Sequence, residues 1–422
     1  MENADVEIKR DRYLGKLIRR KWNGSVKVIT GIRRCGKSYL LFKLFRDHLL
    51  SENVDPACIV TIALDDKENE DLRNPDALYS RVIELTGDTS KKYYILLDEI
   101  QYVEDFEDVI NGFRHKPNLD TYVTGSNSKF LSTDIITEFR GRGDEVRVHP
   151  LSFSEFRTAF SENDTEALKQ YMTFGGMPGS LAKDNDEEKV AYLKNLFKEV
   201  YIKDITERKK IKLTNELGLI IDALCSSVGS LTNPAKMYNT LRSSGHRTIS
   251  DDTVVNYLEY LEESFLFEKA ERYDVKGRKY LDTPYKYFAA DVGLRNARLN
   301  FRQQEPTHIM ENIIYNELRS RGYSVDVGIV ESRTMKDGIS EYKQLEIDFV
   351  VNRMDSRCYI QSVYAMPEGK KREQELRPFL KVKDSFRKIM IVGDDVRPWT
   401  DDNGIVTMGI RQFLLDENSL DI

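Results

Sequence analysis

Residues 26–38 read VKVITGIRRCGKS, and this segment constrains the fold more than any other. A β-branched run containing Val26, Val28 and Ile29 enters Gly31-Ile32-Arg33-Arg34-Cys35-Gly36-Lys37-Ser38. The spacing is G-x-x-x-x-G-K-[ST], the phosphate loop, and a helical run begins directly behind it at Tyr39. Glycines at those positions let the backbone wrap a phosphate chain so that successive N–H groups face it. The N-terminal end of the helix adds positive potential. In this arrangement Lys37 reaches the β- and γ-phosphates and the Ser38 hydroxyl holds Mg²⁺, so the expected ligand is a nucleoside triphosphate with its metal.

A second motif supports the first. Residues 91–101 read KKYYILLDEIQ. The apolar run 93–97 has the composition of a buried strand and ends in Asp98-Glu99. A carboxylate at the C-terminal edge of a parallel strand faces the ligand site of an open α/β sheet. The reading has the carboxylates at this strand end face the phosphate loop, with Asp98 supporting Mg²⁺ and Glu99 polarising the attacking water.

Composition narrows the partners. The 422 residues carry a formal net charge of −6, with 40% hydrophobic and 32% charged side chains. A chain of that balance is no bulk polyanion binder, and any nucleic-acid surface must be a local patch. Cys35, Cys58, Cys225 and Cys358 have no metal-ligand spacing, which fits a reducing cytoplasmic compartment. Cys35 either fills a variable loop position or offers an oxidation point next to bound nucleotide. No apolar run reaches the roughly 18 residues of a membrane span, and the first residues do not read as a signal peptide.

Along the chain, residues 1–158 alternate strands and helices, with strands expected at 26–30, 57–63, 93–97, 120–124 and 145–148. That pattern predicts a parallel sheet with helices on both faces. The strand at 120–124 runs into Gly125-Ser126-Asn127, which is either ordinary turn chemistry or a polar group near the γ-phosphate. Residues 139–143 read FRGRG, either an arginine finger or an exposed basic turn. Residues 149–156 read HPLSFSEF, and residues 174–178 read FGGMP.

These segments together resemble the prokaryotic AAA-superfamily ATPases of the AAA_14/DUF4143 architecture, over essentially the whole chain. The resemblance implies a sensor role for Asn127, an arginine that answers its own or a neighbouring nucleotide at Arg142, and a proline near the adenine at Pro178. Tyr39 would complete the nucleotide-binding segment.

The remainder divides into a helical lid at 159–205, a winged helix-turn-helix at 206–298 and a C-terminal α/β domain at 299–422. Three helices are expected near 217–228, from Pro234 to about 245, and from Ser250. A hairpin is expected after them, at 265–273 and 279–289. The exposed face of the third helix offers Thr253, Asn256 and Tyr260, and the hairpin turn offers Lys276, Arg278 and Lys279. These residues suit DNA. However, residues 236–279 hold eight basic and eight acidic side chains, so docking on a protein surface is the competing reading.

The last domain resembles the PD-(D/E)xK nuclease fold through Glu311, Glu346 and Asp348. Where that pattern needs an acid and a lysine, the chain has Gln361-Ser362-Val363. A site lacking both should be inert. The overall expectation is an α/β ATP-hydrolysing switch whose C-terminal domains bind DNA, a protein partner or further copies of the chain. An ATP-regulated DNA nuclease in genome defence and a nucleotide-binding regulator without turnover are the alternatives.

Overall fold

A computed structural model describes residues 7–126, 143–160, 163–243, 245, 249–303, 305–336, 339–354, 356–366 and 368–421, with backbone alone at 333–336 and 339–341. The chain separates into two compact units. One holds residues 1–150 and 263–265, and the other holds 151–262 and 266–422.

The first unit is built on β1 (Val26–Thr30), β2 (Ile59–Ala63), β3 (Tyr93–Asp98), β4 (Leu119–Thr124) and β5 (Gly143–Arg147). Their spatial order is β2-β3-β4-β1-β5, and every pairing is parallel. Burial tracks this order. Every residue of β1, β3 and β4 is buried, while β2 and β5 at the edges are partly exposed. Central parallel strands covered on both faces need near-continuous apolar runs, as YYILL in β3 illustrates. On one face Ile95, Leu97 and Val123 pack with Val82, Ile110 and Phe113 of the helices Pro75–Leu85 and Phe106–Arg114. On the other face Phe45 lies 4.6 Å from the Tyr122 ring.

The spatial order of the strands departs from their order in the chain. β3 does not neighbour β1, because β4 is inserted between them. A parallel sheet is assembled by crossover connections, so sequence order does not dictate spatial order. A second departure is Lys27, fully buried inside β1. Its ammonium pairs with buried Asp120 of β4, whose other carboxylate oxygen accepts the Tyr122 hydroxyl at 2.9 Å. Burial pulls the Lys27 pKa down and Asp120 opposes that shift.

In the second unit, helices Thr214–Ser226, Pro234–Ser243 and Asp251–Glu263 precede a hairpin of β7 (Phe267–Asp274) and β8 (Lys279–Ala289). The hairpin does not stand apart as a separate wing. β6 (Leu231–Thr232), β7 and β8 belong to one nine-stranded sheet with β9 (Ser324–Lys336), β10 (Ile339–Arg353), β11 (Ser356–Val363), β12 (Arg387–Val392), β13 (Trp399–Thr400) and β14 (Ile405–Gly409). The joint is the parallel pairing of β7 with β9, in register from Arg272↔Val327 to Asp274↔Ile329. Helix Pro306–Ser320 lies against the sheet through Tyr315, stacked 4.1 Å from Phe288. Helix Gly369–Lys381 contributes Leu376 and Phe379 to a core with Ile347, Tyr359 and Met390. The sequence pattern does not reveal β13, β14 or the closing helix Ile410–Leu415.

Asp291 ties the 174–178 segment into this unit. It caps helix Val292–Arg298 through Oδ1, which accepts the Leu294 N–H at 2.9 Å, while Oδ2 accepts the Gly176 N–H at 2.6 Å. Burial pushes its carboxyl up to about 6 against those backbone donors. A carboxyl raised on folding keeps its proton in the native state while the unfolded chain has released it near pH 4. Its contribution to stability is therefore full below about pH 4 and is lost as pH rises to about 6. Asp291→Asn should flatten that part of the pH profile, removing a change on the order of 2–3 kcal/mol. Urea unfolding between pH 4 and pH 6 measures it, and an unchanged slope would assign the effect elsewhere.

Candidate functional site

The phosphate loop leaves β1 and folds back on itself. Gly31 has φ +139°, and a Cβ there would sit 2.1 Å from the Val148 carbonyl oxygen. Gly36 has φ +99°, a region open to glycine and strained for other residues. Cys35 is fully buried and its Sγ donates to the Val148 carbonyl at 3.4 Å. Burial pushes the thiol pKa up. Its full burial favours the packing reading of Cys35. Arg10 pins the loop from outside, donating to the Cys35 carbonyl at 2.9 Å and the His149 carbonyl at 2.6 Å.

Behind the loop a continuous helix runs through Lys37–Tyr39, Leu40–Phe45 and Arg46–Ser51, with its middle segment wound as a π-helix. Lys37 is buried, and its Nζ donates to the carbonyls of Gly31 at 3.0 Å and Ile32 at 3.2 Å. Its charge is thereby held at the mouth of the loop. Arg34 and Tyr39 are exposed, while Arg33 donates from Nε to the Ser126 hydroxyl at 3.2 Å.

The acidic motif meets the loop here. The Ser38 hydroxyl donates to Asp98 Oδ2 at 2.6 Å. The Thr124 hydroxyl, at the end of the intervening strand β4, donates to Asp98 Oδ1. The same Thr124 oxygen accepts the Glu99 N–H at 3.0 Å, which holds Glu99 in a left-handed conformation at φ +51°. A non-glycine residue held there costs on the order of 1 kcal/mol, and such strain collects at functional sites. Gln101 Nε2 donates to Glu99 Oε2, and the Ser126 hydroxyl reaches the same oxygen at 3.4 Å. Burial raises the Asp98 pKa, and its hydrogen bonds from Ser38 and Thr124 work against that rise.

The structure thus brings Lys37, Ser38, Asp98 and Glu99 together, with Arg10, Gln101, Thr124 and Ser126 beside them. Thr124 and Ser126 stand in the polar strand end that the sequence flags. Gln101 is legible only as a polar residue just past the acidic pair. Asn127 and Arg142 lie outside the described residues. Pro178 opens the short helix Pro178–Leu181 in the second unit.

A second cluster lies within the second unit. Lys286, from the middle of β8, extends its ammonium to Glu311 at 2.8 Å, Glu346 at 2.7 Å and Asp348 at 3.9 Å. Lys286, Glu311 and Asp348 are buried, while Glu346 is one third exposed. The three carboxylates gather as the sequence suggests. The lysine among them comes from the hairpin, a source the local pattern at 361–363 could not reveal. Asp348 also accepts the Ser362 N–H at 2.8 Å. Among the described residues, no group of three or more His, Cys, Asp or Glu is arranged to hold a metal ion. The carboxylates raise the Lys286 pKa against its burial, so its positive charge is held in place.

Comparison with known proteins decides the family. The family model described as an AAA domain (AAA_14) matches residues 23–157. An uncharacterised protein of Haemophilus influenzae is 34% identical over 413 residues, covering 97% of this chain and 98% of that one. The chain belongs to the AAA-superfamily P-loop ATPases. A protein of Methanocaldococcus jannaschii, also uncharacterised, is 28% identical over 90% of this chain and 82% of its own length. The second matching family model is a domain of unknown function, DUF8612, over residues 165–305, in place of the expected DUF4143. Among solved structures, the Aeropyrum pernix ORC1 protein in complex with DNA covers 70% of this AAA-superfamily chain and 93% of its own. Its sequence identity is 13% and its TM-score 0.34. AMPPCP-bound DnaA from Aquifex aeolicus covers 61% and 89%, at 16% identity and TM-score 0.28. No described helix of this family member is long and apolar enough to cross a membrane.

Removing the Lys286 ammonium leaves two buried carboxylates facing each other without a counter-charge. Breaking one side of a buried ionic cluster costs about 3–5 kcal/mol. Lys286→Met should lower unfolding stability by that amount, and Glu346→Gln by less, because Glu346 is partly solvated. Urea denaturation of both variants tests this. Equal losses, or a loss below about 1 kcal/mol for Lys286→Met, would contradict the assignment.

Proposed function

We propose that this protein binds Mg²⁺ and ATP at residues 31–38 and hydrolyses the nucleotide, and that its C-terminal unit engages nucleic acid or a protein partner. The observation that carries the proposal is the hydrogen-bonded set of Ser38, Asp98, Thr124 and Glu99 beside the phosphate loop.

Backbone N–H groups of Gly31, Ile32, Arg33, Arg34, Cys35 and Gly36 cradle the phosphates, and a helix N-terminus backs them. Lys37 places its charge where negative charge grows on the transferring phosphoryl group. Ser38 and Asp98 are the oxygen donors for Mg²⁺, and a hydroxyl bonded to a carboxylate suits that hard cation. When bound, the ion neutralises phosphate charge. Glu99 orients and deprotonates the attacking water, with Gln101 and Ser126 holding its carboxylate until then. Asn127 acts as the phosphate sensor, Arg142 as the arginine finger, and Pro178 lies against the base. These three roles rest on the family resemblance. The finer division of the chain into an ATPase core at 1–158 and a helical lid at 159–205 is part of the same proposal, while the expected winged segment 206–298 and nuclease-like segment 299–422 share one nine-stranded sheet.

The nuclease alternative is the weaker reading. Lys286 brings the ammonium that 361–363 lacks, but it is ion-paired with Glu311 and Glu346, and Gln361 brings no negative charge.

Glu99→Gln tests the division of labour. It should bind ATP with wild-type affinity and turn over about 10²–10⁴-fold more slowly, because metal and phosphate contacts are kept while the base is lost. Nucleotide titration paired with phosphate release separates the two effects. Loss of affinity in this variant would show that Glu99, rather than Asp98, carries the metal.

A further inference from the structure

The second unit has a concave surface whose charge runs against the net charge of the chain. A cavity of about 860 Å³ opens where the turn after β7, the end of β10 and the segment just past helix Gly369–Lys381 meet. Its wall holds five cations, Lys276, Arg278, Arg357, Lys381 and Lys383, against the single carboxylate of Asp384. Both oxygens of that carboxylate are already engaged. Oδ2 accepts the Tyr359 hydroxyl at 2.6 Å and Oδ1 accepts the Phe386 N–H at 3.2 Å. Among the described residues, no ion pair engages Arg278, Lys381 or Lys383. Five cations inside a chain of net charge −6 form a segregated patch, not an average surface.

The patch also has flat and apolar partners. Arg357 is fixed by donating from Nε to Asn352 Oδ1 at 2.7 Å, and its guanidinium lies 5.0 Å from the Tyr273 ring and 5.4 Å from the Phe386 ring. Phe386 is 38% exposed and Met354 is 98% exposed, both on the cavity wall. The turn that presents Lys276 and Arg278 is itself stiff, since Asp274 Oδ1 accepts the N–H groups of Lys276 and Gly277 at 3.1 and 2.9 Å.

We propose that this groove binds single-stranded nucleic acid, its cations holding the phosphates and its exposed Phe386 and Met354 receiving the bases. The proposal deepens the reading given above for the C-terminal unit. Single strands are held by this combination of basic groove and stacking side chains. A duplex keeps its bases inside and would leave the apolar atoms of the groove wet. Helix Asp251–Glu263, the expected recognition element bearing Asn256, is electrostatically unsuited. It carries Asp251, Asp252, Glu259, Glu262 and Glu263 and no lysine or arginine. Phosphates are repelled there and attracted to the groove.

The test uses the full chain and a fluorescently labelled oligothymidylate of about 12 nucleotides, a length within the usual site-size range. Anisotropy is read across about 50–200 mM salt. The wild type should bind with a clear salt slope. The combined variant Arg278→Gln, Lys381→Gln and Lys383→Gln changes only exposed groups and should lower that slope by about 2, at about 0.7 per lost single-strand contact. Phe386→Ala should weaken binding by about 5- to 100-fold. ATP turnover of both variants, measured without oligonucleotide, should equal the wild type, so that a failed groove is distinguishable from a failed ATPase assignment. A wild-type slope in the combined variant overturns the proposal. So does displacement of the oligonucleotide by polyglutamate or by a mononucleotide as effectively as by unlabelled oligothymidylate.

Discussion

The hydrogen bond from Ser38 to Asp98 joins two segments that the sheet order holds apart. Ser38 is in the first turn of the helix behind the phosphate loop, and Asp98 ends β3, with β4 lying between β1 and β3. The bond forms because all three strands run parallel, so that their C-terminal ends open on the same side of the sheet. Thr124 at the end of β4 fills the gap, donating to Asp98 and accepting from Glu99. The parallel core therefore has a direct chemical consequence. Changing the strand order would separate the hydroxyl, the metal-supporting acid and the base together. The buried Lys27–Asp120 pair fixes β1 to β4 beneath this point, and Arg10 fixes the outer wall of the loop.

The local half of this site is readable in the sequence. A phosphate loop is contiguous, its glycines answer a backbone requirement, and its lysine and serine come at fixed spacing. The acid pair is equally plain, because a run such as YYILL is seldom anything but a central strand. What stays hidden is every contact whose partner lies far along the chain. Nothing near Asp98 announces that Thr124 is its neighbour, since crossovers in a parallel sheet reorder the strands. Lys27 reads as part of an apolar strand because its counter-ion is 93 residues away.

Lys286 makes the same point in the second unit. The segment 361–363 lacks a lysine, and a reading confined to that segment finds an acid cluster with no cation. Tertiary pairing places a lysine there from a hairpin 25 residues before Glu311. The hairpin reaches the cluster because β7 pairs with β9, a long-range contact with no signature in either strand. Charge totals mislead in a related way. Equal numbers of acids and bases over 236–279 suggest a neutral surface, whereas the acids gather on helix Asp251–Glu263 and the bases at the turn after β7.

The central claim is that the loop at residues 31–38 is a working ATP site, and Lys37→Ala addresses it most directly. Phosphate release from Mg²⁺ and ATP, measured in parallel for the wild type and this variant with and without added DNA, gives a single comparison. The account predicts measurable turnover in the wild type and its abolition in Lys37→Ala, with the variant still folded by its melting profile. Equal turnover in the two proteins would contradict it.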